Sequence, residues 1–181
     1  METHETPFRA ALRTGLVLGL MMMVIVYLIY FIEASLLASN WFGLAVLILY
    51  FALLLFFGFK YRKEVGGYLP FGSAFQFSFF TLIVAGIIGL VGNLLLYMVI
   101  DPALPQVLAD QQMENTMEII ESFGAADAMS TEQINEMKQG FLDAYSVGGQ
   151  LKAFGFALII YAILALIIGA IIKRKEPTQS Y

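Results

Sequence analysis

The chain has 181 residues, a length that alone would allow one soluble domain. Its composition excludes that reading, since hydrophobic residues make up 60% and charged residues 13%, against about 45–50% and about 25% in soluble domains. There is no cysteine, which excludes disulfides, thiol nucleophiles and cysteine-ligated metals. The net charge is −4, and the few basic residues form no extended patch that would bind nucleic acid.

Four apolar runs are each long enough to cross a hydrocarbon core of about 30 Å as a helix. They predict spans at residues 14–32, 43–59, 74–100 and 151–172. The first run is longer than the core of a usual signal peptide, and a second span follows at once, so we expect an uncleaved helix. The sequence therefore predicts an all-α membrane protein with a single membrane domain over residues 1–181.

Polar and aromatic residues mark the ends of the second span. Trp41 and Phe42 stand where an aromatic interface belt is expected. A basic stretch that begins at Lys60 is predicted to form a loop after this span. Gly66 and Gly67 follow, and two adjacent glycines predict an unusual turn, because glycine loses the most backbone entropy on ordering.

The third span carries a stripe of small residues. Its candidate helix-packing or path-lining residues are Ala85, Gly86, Gly89, Gly92 and Asn93. Small side chains let helix backbones approach closely, and a buried amide can bond to a neighbouring helix. The stripe is either a homodimer seam, the lining of a solute path, or ordinary packing within one four-helix bundle. Gly15 and Gly19 on the first span offer a complementary stripe, which favours packing within the chain.

Residues 101–150 are predicted to form an amphipathic helical hairpin between the third and fourth spans. Asp101 is a good N-cap and Pro102 suits a first helical position, although Pro105 leaves the start open. An amphipathic helix is predicted over residues 107–123, and Gly124 is expected to end it.

The second outer helix is predicted from Ser130, which forms a capping box with Gln133. Gly148 and Gly149 are expected to break the pattern before the last span. Because both outer helices have an apolar face, we expect an antiparallel hairpin that caps the outer ends of the bundle.

One face of the first outer helix is acidic, and its members are Asp110, Glu114, Glu118 and Glu121. A charged face opposite an apolar stripe is usually the solvated face. Like charges four residues apart on a helix nevertheless repel one another, so the alternative is a site for a divalent cation or a basic partner.

The ten basic residues are distributed unequally in the four-span prediction. Eight lie on one side (Arg9, Arg13, Lys60, Arg62, Lys63, Lys173, Arg174 and Lys175), and Lys138 and Lys152 lie on the other. The positive-inside rule places both termini in the cytoplasm and the hairpin outside it.

No catalytic constellation is found in the sequence. His4 is the only histidine and lies in the N-terminal tail, and there is no glycine-rich phosphate loop and no metal-ligand spacing. We therefore predict no catalytic residues, no cofactor and no metal centre, and we expect the chain not to be an enzyme.

Three motifs resemble a known family, the four-span inner-membrane proteins of Bacteroidota called domain of unknown function 4199. They are Gly66-Gly67-Tyr68 with Phe71-Gly72 and Ala74, Ile100-Asp101-Pro102, and Met129-Ser130 with Glu132-Gln133-Ile134. The resemblance covers nearly the whole chain. It implies an all-helical protein of the bacterial inner membrane, with Gly66, Gly67, Tyr68, Asp101 and Pro102 in structural roles, and it supplies no activity, substrate or cofactor.

Two functions fit these observations better than an intramembrane enzyme. The first is a non-enzymatic protein that works by interaction in the lipid bilayer, as a homo-oligomer or as an accessory subunit of another membrane protein. The second is a small channel or carrier whose path is lined by the third span near Gly89 and Asn93.

Overall fold

The structure is a computed structural model that describes residues 5–124 and 129–175. It contains six α-helices: α1 (Pro7–Ile32), α2 (Asn40–Glu64), α3 (Phe71–Leu95), α4 (Leu104–Ser122), α5 (Thr131–Tyr145) and α6 (Val147–Ile172). A 3₁₀ turn at Ala34–Ala38 joins α1 to α2, and α3 continues into a π-helical turn at Leu96–Ile100. Within the described ranges the protein has no β-strand, so the predicted all-α class is confirmed.

Among the residues that the structure describes, four helices are long and apolar enough to cross a membrane, namely α1, α2, α3 with its π-helical turn, and α6. Helices suit this role because all their backbone bonds are made within the segment, and lipid offers no substitute partners. Each helix extends beyond its predicted span. Helix α2 extends beyond its predicted span at both ends, since it begins at Asn40 and continues to Glu64. Lys60 therefore lies in a helix and not in the predicted loop.

The described residues fall into two compact units, and the first comprises those up to Met22, Leu47–Gly89 and those from Gly155. The Tyr61 ring stacks on Phe77 with centroids 4.7 Å apart. The buried core of this unit is Ala10, Ala11, Leu54, Tyr61, Leu69, Ala74, Phe77, Leu82, Ile168 and Ile172. Side chains from all four long apolar helices thus share one core.

The second unit comprises Met23–Val46 and Leu90–Phe154. Its buried core is Ala38, Leu96, Tyr97, Leu104, Leu108, Ala109 and Tyr145. Helix α4 contacts the 3₁₀ turn, and there the Asn115 side-chain amide donates to the Ala38 carbonyl at 3.1 Å. Buried side chains of α4 and α5 therefore share one core with the 3₁₀ turn and the π-helical end of α3.

Helices α4 and α5 form a hairpin, and the structure confirms its predicted features at the end of α4 and at the start of α5. Asp110 contacts Lys138 at the middle of α5, and Leu104 at the start of α4 shares a buried core with Tyr145 at the end of α5, as an antiparallel pair requires. The predicted capping box is confirmed, since Gln133 N donates to Ser130 Oγ at 3.2 Å and Ser130 N donates to Gln133 Oε1 at 2.8 Å. Gly124 follows α4 with φ +69°, the left-handed conformation that ends many helices.

Helix α4 begins at Leu104, three residues before the predicted start at residue 107. The predicted helix start is therefore wrong. Asp101 is not the N-cap of α4, and Pro102 is not its first helical residue. These residues form a turn ahead of the helix, in which Leu104 N donates to the Asp101 carbonyl at 3.1 Å. Pro105 occupies the first turn instead, where its missing N–H costs nothing.

Helix α6 begins at Val147, before the predicted start at residue 151. Gly148 and Gly149 therefore lie in its first turn and do not break the helical pattern. Ser146 is extended and its Oγ accepts a hydrogen bond from Gly149 N at 3.0 Å, which is the bond of an N-cap. A Cβ on Gly149 would overlap the Asp143 carbonyl oxygen, so the tight passage from α5 to α6 requires glycine there.

Candidate functional site

The small residues of α1 face α3 at very short range, and we name this region the glycine contact. A Cβ added to Gly15 would lie 2.6 Å from Val84 Cβ and 2.9 Å from the Thr81 carbonyl oxygen. A Cβ added to Gly19 would lie 3.0 Å from Ala85 Cα. Ala85 is fully buried. The two backbones approach so closely that only glycine fits on the α1 side.

The described residues cover some members of the predicted small-residue stripe of α3 and leave others open. Gly92 packs against Met23, whose Cγ would lie 3.0 Å from an added Cβ, and Tyr27 Oη donates to the Gly92 carbonyl at 2.8 Å. Around Gly89 an added Cβ would meet no atom within 4 Å. Gly86 and Asn93, like Gly89, are half-buried. Ala85 and Gly92 thus serve packing within the chain, and Gly89 leaves open space.

Two buried hydroxyl groups of α3 were missed by the sequence reasoning. Ser78 and Thr81 are fully buried, and neither Ser78 Oγ nor Thr81 Oγ1 has a hydrogen-bond partner in the described parts of the chain. Both residues share a helix face with Ala85, because the intervals are three and four residues. Burying a hydroxyl without a hydrogen-bond partner costs free energy. Both residues could have been predicted from the sequence by extending the small-residue stripe toward the start of α3.

The acidic face of α4 is partly engaged by α5. Lys138 Nζ lies 2.7 Å from Asp110 Oδ1, and the Gln106 amide donates to the same carboxylate. The hydrogen bond from Lys138 lowers the pKa of Asp110 below its usual range, and the bond from Gln106 adds to this. Glu114, Glu118 and Glu121 are exposed.

No three His, Asp or Glu side chains in the described ranges are grouped so that they could hold a metal ion. His4 and Asp127 lie outside those ranges. The cation or basic-partner role of Asp110, Glu114, Glu118 and Glu121 stays a prediction, and Lys138 already relieves part of the repulsion that motivated it.

The Asp101-Pro102 motif joins the end of α3 to the start of α4. The Asp101 carboxylate accepts from Ala103 N at 3.1 Å and from Leu104 N at 3.2 Å. Its other oxygen accepts from Tyr30 Oη at 3.1 Å. The Asp101 side chain thus accepts hydrogen bonds from two backbone N–H groups at the start of α4 and from Tyr30 near the end of α1. Its role is structural.

The Gly66-Gly67-Tyr68 motif also has a structural explanation. Both glycines have positive φ, 91° and 87°, a conformation that other residues rarely adopt. The turn brings Leu69 beside Arg174, and their backbones exchange two hydrogen bonds of 2.9 Å. We name this pairing the clasp. The Arg174 guanidinium also lies 5.7 Å from the Tyr68 ring centroid.

A second arginine strengthens the same region. Arg62 Nη1 donates to the carbonyl of Ile172, the last residue of α6, at 3.1 Å. Carbonyls at a helix end lack helical partners, and a cation there is stabilised by the helix dipole. The clasp and Arg62 together fix the end of α6 against the end of α2.

The four long apolar helices and the satisfied helix ends define a multi-pass helical membrane protein. Over residues 13–174 the sequence matches the family described as protein of unknown function, DUF4199. The chain belongs to this family, as the resemblance implied. No curated protein matches the chain, and no solved structure matches it.

Proposed function

We propose that this protein is a non-enzymatic, multi-pass protein of the bacterial inner membrane that works by interaction, as a homo-oligomer or as an accessory subunit. The observation that carries the proposal is the open surface at Gly89, where the chain itself places no atom within 4 Å of an added Cβ. Ile87 and Val91 on either side are about half exposed, at 46% and 51%. A second helix can approach such a surface closely.

The contrast with three other glycines of α1 and α3 supports this assignment. Gly15, Gly19 and Gly92 each have an atom of the same chain at 3.0 Å or less from an added Cβ. Gly89 lies one turn before Gly92 on α3 but has no such neighbour. Glycine is unfavourable inside a helix by about 1 kcal/mol relative to alanine, so an unfilled glycine favours a contact made with another chain.

The charged groups support interaction over catalysis. Asp101 binds helix-start amides, Arg62 binds the end of α6, and Asp110 binds Lys138. A general acid–base pair requires ionisable groups that converge on one reacting atom. These groups instead hold helix ends and the hairpin in place.

Disulfide crosslinking tests the oligomer, because the chain has no cysteine of its own. Gly89→Cys is sterically tolerated, and in membranes we expect it to form a covalent homodimer on mild oxidation. Ile163→Cys is the matched control, since Ile163 is 49% exposed, much as Ile87 and Val91 are, but lies on α6 and is not an unfilled glycine. A Gly89→Cys adduct with a different membrane protein would support the accessory-subunit form. Adducts that are absent, or equal for both variants, would contradict the proposal.

A channel or carrier is the second candidate, and the buried hydroxyls of Ser78 and Thr81 favour it. Such groups without protein partners are suited to bonding water or a polar solute. In proteoliposomes, solute or ion flux that falls with Thr81→Val, a change of nearly the same shape, would support this function. The same flux in Thr81→Val and wild-type proteoliposomes would count against it.

We also propose that both termini are cytoplasmic and that the hairpin is extracytoplasmic. Eight basic residues lie in the first unit, whereas Lys138 and Lys152 lie in the second. Single cysteines at Lys63 and Glu136, both exposed, test this with a membrane-impermeant maleimide. In spheroplasts we expect labelling of Glu136→Cys and not of Lys63→Cys. The reverse pattern would overturn the orientation.

A further inference from the structure

A cleft of about 340 Å³ opens between α1 and α2 in the first unit. This volume is at the lower end for small-molecule sites. The side chains that decide its chemistry are Arg13, Thr14, Val17, Phe57, Lys60 and Glu64.

The lining changes from charged to apolar along both helices in the same direction. Along α1, Arg13 is followed one turn further into the apolar run by Val17. Along α2, Lys60 near the end of the helix is preceded one turn further into its apolar run by Phe57. A ligand in this cleft thus meets charge at the end of two candidate membrane spans and hydrocarbon deeper in. A phospholipid has the same order of groups.

The charges of the lining residues favour a ligand with a negatively charged headgroup. Among the lining residues Arg13 and Lys60 are positive and Glu64 is negative, which leaves one net positive charge, and Glu5, which contacts Arg13, lies outside the lining. Arg13 makes only long contacts with the Glu5 and Glu64 carboxylates, at 3.6 and 3.4 Å, and its side chain is 62% exposed. Since a guanidinium has five N–H donors, it retains donors for a phosphate oxygen. A phosphodiester, with one negative charge, would neutralise the lining.

We propose that this cleft binds the phosphodiester of an anionic phospholipid, with Lys60 and Arg13 at the phosphate and one acyl chain along Val17 and Phe57. Basic pockets between membrane helices bind anionic headgroups in this manner. The occupant comes from the bilayer and not from water, because Val17 and Phe57 offer nothing to a free phosphate ion.

The test is native mass spectrometry of the full-length protein released from nanodiscs that contain equal amounts of phosphatidylglycerol and phosphatidylcholine with the same acyl chains. We expect one tightly retained lipid, enriched in phosphatidylglycerol. Lys60→Gln should lower that enrichment about fivefold, and Lys60→Arg should preserve it. Lys63→Gln is the matched control, because Lys63 is an exposed cation at the same end of α2 and does not line the cleft.

Three outcomes would overturn the proposal. Equal retention of both lipids would show that charge does not select the occupant. Equal losses with Lys60→Gln and Lys63→Gln would assign the effect to the general surface potential. Displacement of the lipid by millimolar inorganic phosphate would identify a site for a water-borne anion. Because Lys60 is exposed, helical circular dichroism of the variants is expected to match the wild type, and retention of lipid is then read directly.

Discussion

The glycine contact and the hairpin are held together by different physical means. In the glycine contact, Gly15 and Gly19 bring the backbones of α1 and α3 together, and the side chains nearest to them are the apolar Val84 and Ile88. The hairpin uses a capping box, an ion pair and buried side chains such as Leu108. Lipid tails are as apolar as the candidate spans, so a span gains from close packing. The hairpin has exposed charged side chains such as Glu114 and Glu136, and it gains from apolar burial and from satisfied helix ends.

The sharpest way to break the hairpin is to remove its buried apolar contact. Leu108 is 1% exposed, and Leu108→Ala should lower the free energy of unfolding of the hairpin by about 2–5 kcal/mol, because a cavity remains. Amide hydrogen exchange of α4 and α5 measures this. Val107→Ala, at the next residue and 47% exposed, should change the free energy by less than about 0.5 kcal/mol. Similar losses in both variants would mean that α4 does not use this face.

The glycine contact should respond to one added carbon atom. Gly15→Ala places Cβ against Val84 and the Thr81 carbonyl, and overpacking of this kind costs about 1–3 kcal/mol. Equilibrium unfolding by SDS in mixed micelles measures the loss. Gly43→Ala is the matched control because its Cβ would meet no atom within 4 Å, and it should be neutral or stabilising by up to about 1 kcal/mol. If both variants unfold alike, the close approach of α1 and α3 is not what stabilises them.

The capping box gives a smaller effect, confined to the hairpin. Ser130→Ala removes the oxygen that accepts from Gln133 N, which should cost about 1 kcal/mol. Faster exchange of the amides in the first turn of α5 would report it. Thr131→Ala, at the adjacent exposed position, should leave those amides unchanged. A loss in the glycine contact from Ser130→Ala would show that the two regions are not independent.

The sequence was sufficient for features that depend on neighbouring residues. The long apolar runs, the Ser130–Gln133 capping box and the left-handed Gly124 all have local causes. Local sequence signals did not predict the start of α4, because several of them compete there. Asp101, Pro102 and Pro105 each favour a helix start, and only the turn formed before Leu104 decides among them.

The site was predictable only in part, because its contacts join distant residues. The clasp links Leu69 to Arg174, and no local sequence pattern predicts a backbone pairing between residues so far apart in the chain. The cleft beside Lys60 depends on α2 continuing to Glu64, whereas the sequence predicted a loop there. The small-residue stripe of α3 was visible, but which of its members the chain itself covers depends on the positions of α1 side chains.

The ion pair between Asp110 and Lys138 should give the smallest effect and the one that depends on pH. The pKa of Asp110 is lowered from its ordinary value of 3.8, first by the hydrogen bond from Lys138. A carboxyl whose pKa is lower in the folded state stabilises that state above its unfolded pKa. The contribution is therefore present at neutral pH and is lost as the pH falls through the lowered pKa.

Hydrogen exchange of α4 and α5 followed from pH 7 into this acid range, corrected for the intrinsic rate, should show that loss of protection in the wild type. Lys138→Gln should reduce protection at neutral pH and flatten the acid dependence, because the partner that lowers the pKa is gone. Glu136→Gln removes an exposed carboxylate of α5 and should keep the wild-type profile.

Since the pair of Asp110 and Lys138 is solvent-exposed, at 44% for the Lys138 side chain and 51% for that of Asp110, high salt should weaken it. The capping box joins neutral groups, so its contribution should persist in the same salt. A wild-type profile in Lys138→Gln would mean that the hairpin is held by its apolar face and caps alone.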